Sequence, residues 1–172
     1  MAPTRRLDQD APALGLLDQN GERFDLERLE GRSSLVTFAF GHCETVRPVI
    51  VRDALEVQER TRAMAAAGSL AAERVPRVVV VTLDPWRDTP SRLPHLVHHW
   101  KTGEDAFLLS GEVDAVNRVL DGWNVARERN EKTGDVAHPP LVYVLDASVR
   151  IRYATTGGVD TLLALVSRSE RG

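Results

Sequence analysis

Two apolar runs joined by a single helical stretch constrain this chain more than any other feature. Arg77–Leu83 holds four consecutive valines between two proline-containing turns, and Ser34–Phe40 is nearly as apolar. Neither run alternates between polar and apolar residues, which is typical of strands that helices cover on both faces. A helix predicted from about Val49 to Ala67 connects them, so we expect two neighbouring parallel strands at the centre of a sheet.

The remaining pattern predicts further short elements around this pair. Strands are expected at Leu14–Leu17, Arg23–Asp25, Phe107–Leu109, Leu141–Leu145 and Arg150–Ala154, and helices at about Arg92–Lys101, Glu112–Leu120 and Asp160–Ser167. Ser91, Ser110 and Asp160 are the expected N-caps. Strands separated by helices, ending in a hairpin and a last helix, predict an α/β fold with a mixed central sheet, helices on both faces and a thioredoxin-like arrangement.

Two segments fall outside this periodic pattern. The chain begins with polar sequence, and residues 1–13 are expected to be a flexible lead-in to a single domain over residues 14–172. Asn124–Ala137 is charged and aperiodic, which predicts a long loop, and such loops inside a compact domain are often functional. Its charges are as consistent with simple solvent exposure as with recognition of a partner.

Charge and composition exclude several functional classes. The formal net charge of −3 gives no electrostatic reason to expect a nucleic-acid partner. The two lysines, Lys101 and Lys132, both lie in polar loop-like sequence, so Schiff-base chemistry is not expected. One cysteine allows no disulfide within the chain, and no apolar run approaches the roughly 18 residues of a membrane-spanning segment.

The single cysteine, Cys43, follows the strand Ser34–Phe40 after a break at Gly41. The residues after Pro48 are predicted to be helical, so the sulfur would lie near a helix N-terminus. Partial positive charge at that position favours the thiolate, which is the reactive form of cysteine. A buried structural cysteine is the alternative interpretation, because free cysteine is among the most frequently buried residue types.

Other histidines favour less specific interpretations. His95, His98 and His99 have the spacing of one helical face, but no carboxylate or cysteine joins them, so ordinary packing is favoured over a metal site. His42 adjoins Cys43, yet side chains alternate along a strand and its ring is expected to point away.

The turn after the second apolar run carries Asp84, Arg87 and Asp88, which could form a functional carboxylate–arginine cluster. In proline-rich turns, however, aspartates usually accept hydrogen bonds from nearby backbone N–H groups. Arg87 would then close the turn through an ion pair. The structural interpretation is favoured.

Four motifs stand in a defined order along the chain. They are Asp18-Gln19-Asn20-Gly21, Phe40-Gly41-His42-Cys43-x-x-x-Arg47-Pro48, Leu83-Asp84-Pro85-x-Arg87-Asp88-Thr89-Pro90, and His138 shortly before Leu141-Val142-Tyr143-Val144-Leu145-Asp146. Together they resemble the Sco (SenC) family, thioredoxin-fold copper proteins associated with assembly of the copper centre of cytochrome c oxidase. The resemblance covers about Leu14 to Tyr153. It implies a location on the periplasmic or another extracytoplasmic side of a membrane, with the anchor absent from this chain.

The resemblance also implies which residues bind metal. The family's copper ligands are two cysteines in a CxxxC-Pro motif and one distal histidine. Cys43 matches the first cysteine and His138 matches the histidine, but Arg47 stands in the position of the second cysteine. The copper site implied for this chain is therefore degenerate, and copper binding is expected to be weak or absent.

The physical effect of Arg47 follows from helix geometry. Residues four apart on a helix face the same side, so the side chains of Cys43 and Arg47 should be neighbours. Replacing a thiolate with a permanent cation removes a soft ligand for Cu(I) and repels the metal. The same cation favours the thiolate form of Cys43. Arg47 is thus expected to weaken metal binding and to stabilise the thiolate.

Three functions remain open at this point. The first is a metallochaperone with Cys43 and His138 as metal ligands, whose partner is a cytochrome c oxidase subunit or another copper or thiol protein. The second is a one-cysteine redox protein with thiol-disulfide or peroxide chemistry at Cys43. The peroxiredoxin pattern Pro-x-x-x-Thr-x-x-Cys is missing, because Val36 and Phe40 occupy the proline and threonine positions. The third is a non-catalytic module that binds a partner.

The strand order makes one geometric prediction about the site. Cys43 ends one strand, and the His138-Pro139-Pro140 segment enters a neighbouring strand at the same end of the sheet. The ring of His138 should therefore approach the sulfur of Cys43. Pro139 or Pro140 is a candidate for a cis peptide bond, because tight entry turns favour one.

Overall fold

The computed structural model describes residues 4–41 and 47–168, which form ten strands and four α-helices. In chain order these are β1 (Thr4–Asp10), β2 (Leu16–Leu17), β3 (Arg23–Phe24), β4 (Ser34–Ala39), α1 (Val49–Ala66), β5 (Arg77–Thr82), α2 (Leu93–Trp100), β6 (Ala106–Leu109), α3 (Val113–Gly122), β7 (Glu128–Arg129), β8 (Val136–Ala137), β9 (Val142–Leu145), β10 (Arg150–Thr155) and α4 (Val159–Arg168). Short 3₁₀ turns occupy Leu26–Leu29, Ala72–Arg74 and Pro90–Arg92.

The central sheet has six strands in the order β1-β10-β9-β4-β5-β6. Strands β4, β5 and β6 are parallel to one another, whereas β9, β10 and β1 are joined by antiparallel pairing. Both predicted apolar runs are central and adjacent, with Ser34 paired to Arg77 at one end and Ala39 paired to Thr82 at the other. This mixed sheet with helices on both faces confirms the predicted thioredoxin-like α/β fold.

Each face of the sheet carries its own apolar core. Side chains alternate along β4, so Leu35 and Ala39 face the layer of α1, α2 and α4, while Val36 and Phe38 face the layer that contains α3. On the α3 side, Phe38 and Trp123 pack around Tyr143, whose hydroxyl donates a hydrogen bond of 2.5 Å to the carbonyl of Trp123. Burial on both faces explains why neither apolar run alternates.

The expectation of a flexible lead-in over residues 1–13 is wrong for most of that segment. Thr4–Asp10 forms edge strand β1 and pairs antiparallel with β10, with Gln9 opposite Ile151. Arg152 donates to Asp8 at 2.8 Å, and these two side chains reinforce the backbone pairing. The strand is polar because both of its faces are largely exposed, so no hydrophobic alternation marks it in the sequence.

The expectation of an aperiodic loop over Asn124–Ala137 needs a similar correction. Strands β7 and β8 form a small antiparallel hairpin within it, with Arg129 opposite Val136. The side-chain oxygen of Asn130 accepts hydrogen bonds from the backbone of Lys132 and Thr133 and so stabilises the turn. Strands of two residues are too short to produce a periodic signal.

Three predicted helix caps and one predicted peptide geometry are also corrected. Helix α2 begins after the Pro90–Arg92 turn with Arg92 in the N-cap position, and α3 has Glu112 there. Asp160 lies within the first turn of α4. All peptide bonds within the described ranges are trans, including those of Pro139 and Pro140. Among the described helices, none is both long and apolar enough to cross a membrane.

Candidate functional site

The candidate site lies at the edge of the sheet where the central parallel strands end. Phe40 and Gly41 follow β4, and Leu83 and Asp84 follow β5, so both segments leave the sheet on the same side. His42 and Cys43 lie outside the described residues, as do positions 44–46. The candidate site is therefore described through the residues that flank positions 42–46.

His138 reaches this edge from strand β8. Its ring lies edge-on to Phe40, with 6.1 Å between the ring centroids, and Phe40 stands three residues before Cys43. Burial lowers the pKa of the half-buried imidazole below its usual value of 6.5, which favours the neutral form that binds metals. Nδ1 lies 3.1 Å from the carbonyl oxygen of Pro139; when Nδ1 carries the proton, the lone pair of Nε2 is left for a ligand. The distance between His138 and Cys43 itself stays a prediction.

Asp88 holds the backbone just before positions 42–46, which are called the cysteine segment below. Its Oδ2 atom accepts hydrogen bonds of 2.9 Å from the backbone N–H of Gly41 and from the hydroxyl of Thr82. The carboxyl is buried, and this burial raises its pKa above the ordinary value. Gly41 also packs tightly, since a Cβ atom there would lie 2.4 Å from a methyl carbon of Leu96. The last described residue before the cysteine is therefore held by a hydrogen bond and by packing.

Two further contacts strengthen the turn around Asp88. The buried hydroxyl of Ser110 donates to the carbonyl of Asp88, which explains why Ser110 does not cap α3. The hydroxyl of Thr82 also accepts a hydrogen bond of 2.9 Å from the backbone N–H of Asp84. These hydrogen bonds connect the turn that holds Gly41 to the ends of both β5 and β6.

Arg87 links the same turn to the hairpin that carries His138. Its Nε donates to the fully buried carboxylate of Asp84, which is the ion pair predicted from the sequence. Its Nη2 donates to the carbonyl of Gly134 in the β7–β8 turn, a contact that the sequence did not predict. Arg129 of β7 lies 3.9 Å from Asp84 and stacks over Trp86 at 4.4 Å. These contacts couple the position of the hairpin, and so of His138, to the turn that anchors Gly41.

Arg47 is the first described residue after the cysteine segment. It precedes helix α1, which begins at Val49, so the expectation that Arg47 lies on a helical turn is wrong. Its Nη1 donates a hydrogen bond of 2.9 Å to the carbonyl of Trp100, the last residue of α2. Carbonyls at a helix C-terminus carry partial negative charge, so this contact is favourable for a guanidinium. The effect of Arg47 on the Cys43 thiol stays a prediction, because the sulfur is outside the described residues.

The three histidines of α2 form a cluster of their own. The rings of His95 and His99 lie 4.3 Å apart between centroids, and both side chains are exposed. Within residues 4–41 and 47–168, no three histidine, cysteine, aspartate or glutamate side chains are grouped closely enough to hold a metal ion.

Sequence reasoning singled out His138, Asp88 and Arg87 within motifs but missed the contacts that Asp88 and Arg87 make with residues far away in the chain. Asp88 and Gly41 are 47 positions apart, as are Arg87 and Gly134, so no local spacing predicts either pair. The sequence offered one signal for the second pair, the glycine at position 134. Its backbone angle φ is +78°, which glycine adopts readily, and a Cβ atom there would collide with the Arg87 guanidinium.

Comparison with known proteins places these observations in a family context. Residues 5–163 match the protein family described as SCO1/SenC. An SCO2-like protein of Rickettsia conorii is 29% identical over 139 residues, which are 77% of this chain and 62% of that relative. The chain thus spans about three fifths of the length of that relative.

Solved structures agree with this match. Arabidopsis thaliana ScoI with copper bound superposes with a TM-score of 0.72 at 21% identity, over 94% of this chain and 98% of the other. BsSco, described as a member of the Sco family of cytochrome c oxidase assembly proteins with a disulfide switch, superposes with a TM-score of 0.75 at 19% identity, over 97% of each chain. At these identities the structures establish a shared fold.

Proposed function

Because this chain belongs to the SCO1/SenC family, we propose that it is a copper-chaperone-type domain with an incomplete copper site formed by Cys43 and His138. One observation carries the proposal. The half-buried ring of His138 contacts Phe40 at the end of β4, so the distal histidine lies beside the strand that leads to the cysteine. Copper is the cargo in this role.

The proposed site has two protein ligands where the family pattern has three. A thiolate and a neutral imidazole both suit Cu(I), but the third position holds Arg47. A cation about 5 Å from the metal, at an effective dielectric of about 20, would repel Cu(I) by about 3 kcal/mol. The site should therefore hold Cu(I) weakly and release it readily to an acceptor that supplies better ligands.

The proposed acceptor is a cytochrome c oxidase subunit or another copper or thiol protein. BsSco is described as a member of a family of cytochrome c oxidase assembly proteins, and the shared fold supports a comparable role here. An acceptor cysteine could complete the coordination of copper during transfer, because the site lacks one soft ligand. The edge that holds His138 and Gly41 would be the contact surface for this step.

Competition against a Cu(I) chelator under reducing conditions tests the proposal. Wild type should bind one Cu(I) weakly, Cys43→Ser should remove the binding, and His138→Gln should weaken it by at least about tenfold, or roughly 1.4 kcal/mol. His98→Gln is the matched control, since His98 is an exposed histidine of α2 that is not among the proposed ligands. Binding that survives Cys43→Ser unchanged would contradict the proposal.

Thiol chemistry at Cys43 is the second candidate, and the cation at Arg47 favours it. In this role the thiolate would be oxidised by peroxide to a sulfenic acid, or would form a mixed disulfide with a partner cysteine by attacking its disulfide. Reaction of wild type with hydrogen peroxide, followed by trapping of the sulfenic acid, separates this function from copper transfer. Slow oxidation comparable to that of free cysteine, together with no Cu(I) binding, would leave the partner-binding module as the remaining function.

A further inference from the structure

Two exposed histidines of helix α2 have no part in the proposed copper site. His95 and His99 stand four residues apart in the helix, and their rings meet edge to face with 4.3 Å between the centroids. The sequence favoured ordinary packing over a metal site at these positions, but neither side chain is buried. Neither ring makes a hydrogen bond or an ion pair with any residue of the ranges 4–41 and 47–168. Nitrogen atoms of both rings are therefore available to a ligand from solvent.

A different face of α2 holds the helix in place. Leu93, Leu96 and Trp100 are buried and belong to the apolar core between the helix and the sheet. Residues four apart lie on the same face of a helix, so the backbone itself sets the spacing of His95 and His99. Rotation about side-chain bonds is then sufficient to turn one nitrogen of each ring toward a common point.

The spacing of the two rings suits a shared metal ion. A bond from an imidazole nitrogen to a metal is about 2.0–2.1 Å long, so two such bonds span at most about 4.2 Å. Histidines at positions i and i+4 of a helix are also the pair that binds zinc in the H-E-x-x-H motif. His98 lies farther off, with 6.2 Å between its ring centroid and that of His99, so we do not expect it to join them.

We propose that His95 and His99 bind one divalent transition-metal ion, and that Cu(II) binds more tightly than Ni(II) or Zn(II). Imidazole suits all three metals, and Cu(II) is the strongest binder in the general order of affinities. Two imidazole nitrogens with water oxygens also match the tetragonal coordination of Cu(II). No aspartate or glutamate joins the pair within the described parts of the chain, so Mg(II), which prefers oxygen ligands, should not bind.

Nearby charge should moderate the affinity of this histidine pair. Lys101 follows the last residue of α2, and the guanidinium of Arg47 bonds to the carbonyl of Trp100 at the same helix end. Both cations oppose the approach of a divalent metal, and screening by salt reduces their effect at an exposed site. The inference does not depend on Cu(I) binding at Cys43.

Titration of the full chain with Cu(II), Ni(II), Zn(II) and Mg(II) tests the proposal. Calorimetry at about pH 7.5, where unperturbed imidazole is neutral, measures the binding. Wild type and Cys43→Ser are compared, because the serine variant removes the thiolate as a ligand. Cys43→Ser should bind one Cu(II), with weaker binding of Ni(II) and Zn(II) and none of Mg(II). On this background, His95→Gln and His99→Gln should each raise the Kd for Cu(II) at least about tenfold.

His98→Gln is the matched control, because it removes an exposed histidine of the same helix and should leave the Kd unchanged. Saturating Cu(II) should also raise the Tm of Cys43→Ser, since a ligand of the folded state stabilises it, and either substitution in the pair should abolish this shift.

Three outcomes would overturn the proposal. If His95→Gln or His99→Gln keeps the Kd, that ring is not a ligand and the assigned pair is wrong. If His98→Gln weakens binding equally, the metal binds surface histidines without selecting this pair. If wild type binds Cu(II) and Cys43→Ser does not, the metal is held at Cys43, a result that contradicts the histidine pair and leaves the proposed function standing.

Discussion

At the scale of single residues, Arg47 is the residue at which we propose that the copper site differs from the family pattern. In the proposed site it stands in place of a soft ligand and adds a charge, and in the structure it hydrogen-bonds to the end of α2. Its proposed effect on copper has two separable parts, the missing thiolate and the added cation. Two substitutions at the same position separate them.

Arg47→Cys should produce a tight Cu(I) site where wild type binds weakly or not at all. Residue 47 holds the position of the second cysteine in the family's copper-binding motif, so a cysteine there should supply the missing soft ligand. Removing about 3 kcal/mol of repulsion alone would increase the affinity roughly a hundredfold. Competition with a Cu(I) chelator measures the change, and reducing conditions prevent a disulfide between residues 43 and 47.

Arg47→Gln is the control, because it removes the charge without adding a ligand. Its Cu(I) affinity should lie between those of wild type and Arg47→Cys. Equal affinities for wild type and Arg47→Cys would show that position 47 does not limit copper binding. Tight binding by wild type would mean that other ligands complete the site.

The half-buried imidazole of His138 should make the free energy of unfolding depend on pH. Burial lowers its folded-state pKa below 6.5, so the unfolded chain takes up this proton first as the pH falls. The free energy of unfolding should therefore decrease as the pH drops through 6.5 and then through the lowered pKa, and should be fully retained above pH 7. His138→Gln should flatten this part of the profile, measured by urea denaturation between about pH 5 and 8.

His98→Gln serves as the comparison, because its side chain is exposed. It should leave the pH dependence as in wild type. A profile for His138→Gln with the wild-type slope would mean that the burial of His138 does not control it.

At the scale of elements, the turn after β5 acts as an anchor for the cysteine segment. Asp88 accepts hydrogen bonds from Gly41 and Thr82, and Arg87 connects the turn to the β7–β8 hairpin. The turn therefore relates the two sides of the candidate site, the end of β4 and the hairpin before His138. We expect removal of these contacts to destabilise both sides of the candidate site.

Asp88→Ala should lower the free energy of unfolding by about 2–6 kcal/mol, because two buried donors lose their acceptor and each unpaired donor costs about 1–3 kcal/mol. Chemical denaturation measures this loss. Asp88→Asn retains a side-chain carbonyl that can accept hydrogen bonds, so its loss should be clearly smaller. If the two variants were equally destabilised, the hydrogen bonds to Gly41 and Thr82 would not explain the role of Asp88.

At the scale of the whole molecule, the sheet divides the chain into two apolar cores and gathers the candidate site at one edge. The parallel strands β4 and β5 form the part that is buried on both faces, and β1 and β6 are the outer strands. The central strands and the outer strands should therefore contribute differently to the free energy of unfolding. The central strands define the fold, whereas β1 adds pairing at an exposed edge.

Deletion of residues 1–10 should therefore lower Tm without abolishing cooperative unfolding. β10 keeps its pairing with β9, and Leu7 is the residue of β1 that packs, half-buried, against the core. Loss of that partial burial, about 1 kcal/mol, corresponds to a decrease of roughly 2–4 °C in Tm for a protein of this size. Calorimetry on the truncated chain measures the shift.

Leu7→Ala in the full chain is the matched variant for this deletion. It should account for much of the decrease, because it removes the same apolar side chain while keeping the strand. An unchanged Tm after truncation would mean that β1 contributes nothing to the folded state. Loss of cooperative unfolding would mean that the strand is essential to it.

The sequence alone was sufficient to predict the two central strands of this protein. The valine run and Ser34–Phe40 predicted β4 and β5 as adjacent parallel strands, because burial on both faces requires unbroken apolar sequence. The family motifs predicted Cys43, Arg47 and His138 as site residues, and these assignments stay predictions. The Asp84–Arg87 ion pair was also predictable, since its partners are three residues apart in a turn.

Only the tertiary structure decided what these residues contact and how the polar strands β1, β7 and β8 pair. Strand β1 has no hydrophobic signal because it is exposed, and β7 and β8 are too short for one. The Asp88–Gly41 and Arg87–Gly134 hydrogen bonds each join positions 47 residues apart. Local periodicity reports which face of an element is buried, whereas the partner of a polar side chain depends on how distant elements pack, and that information appears only once the chain has folded.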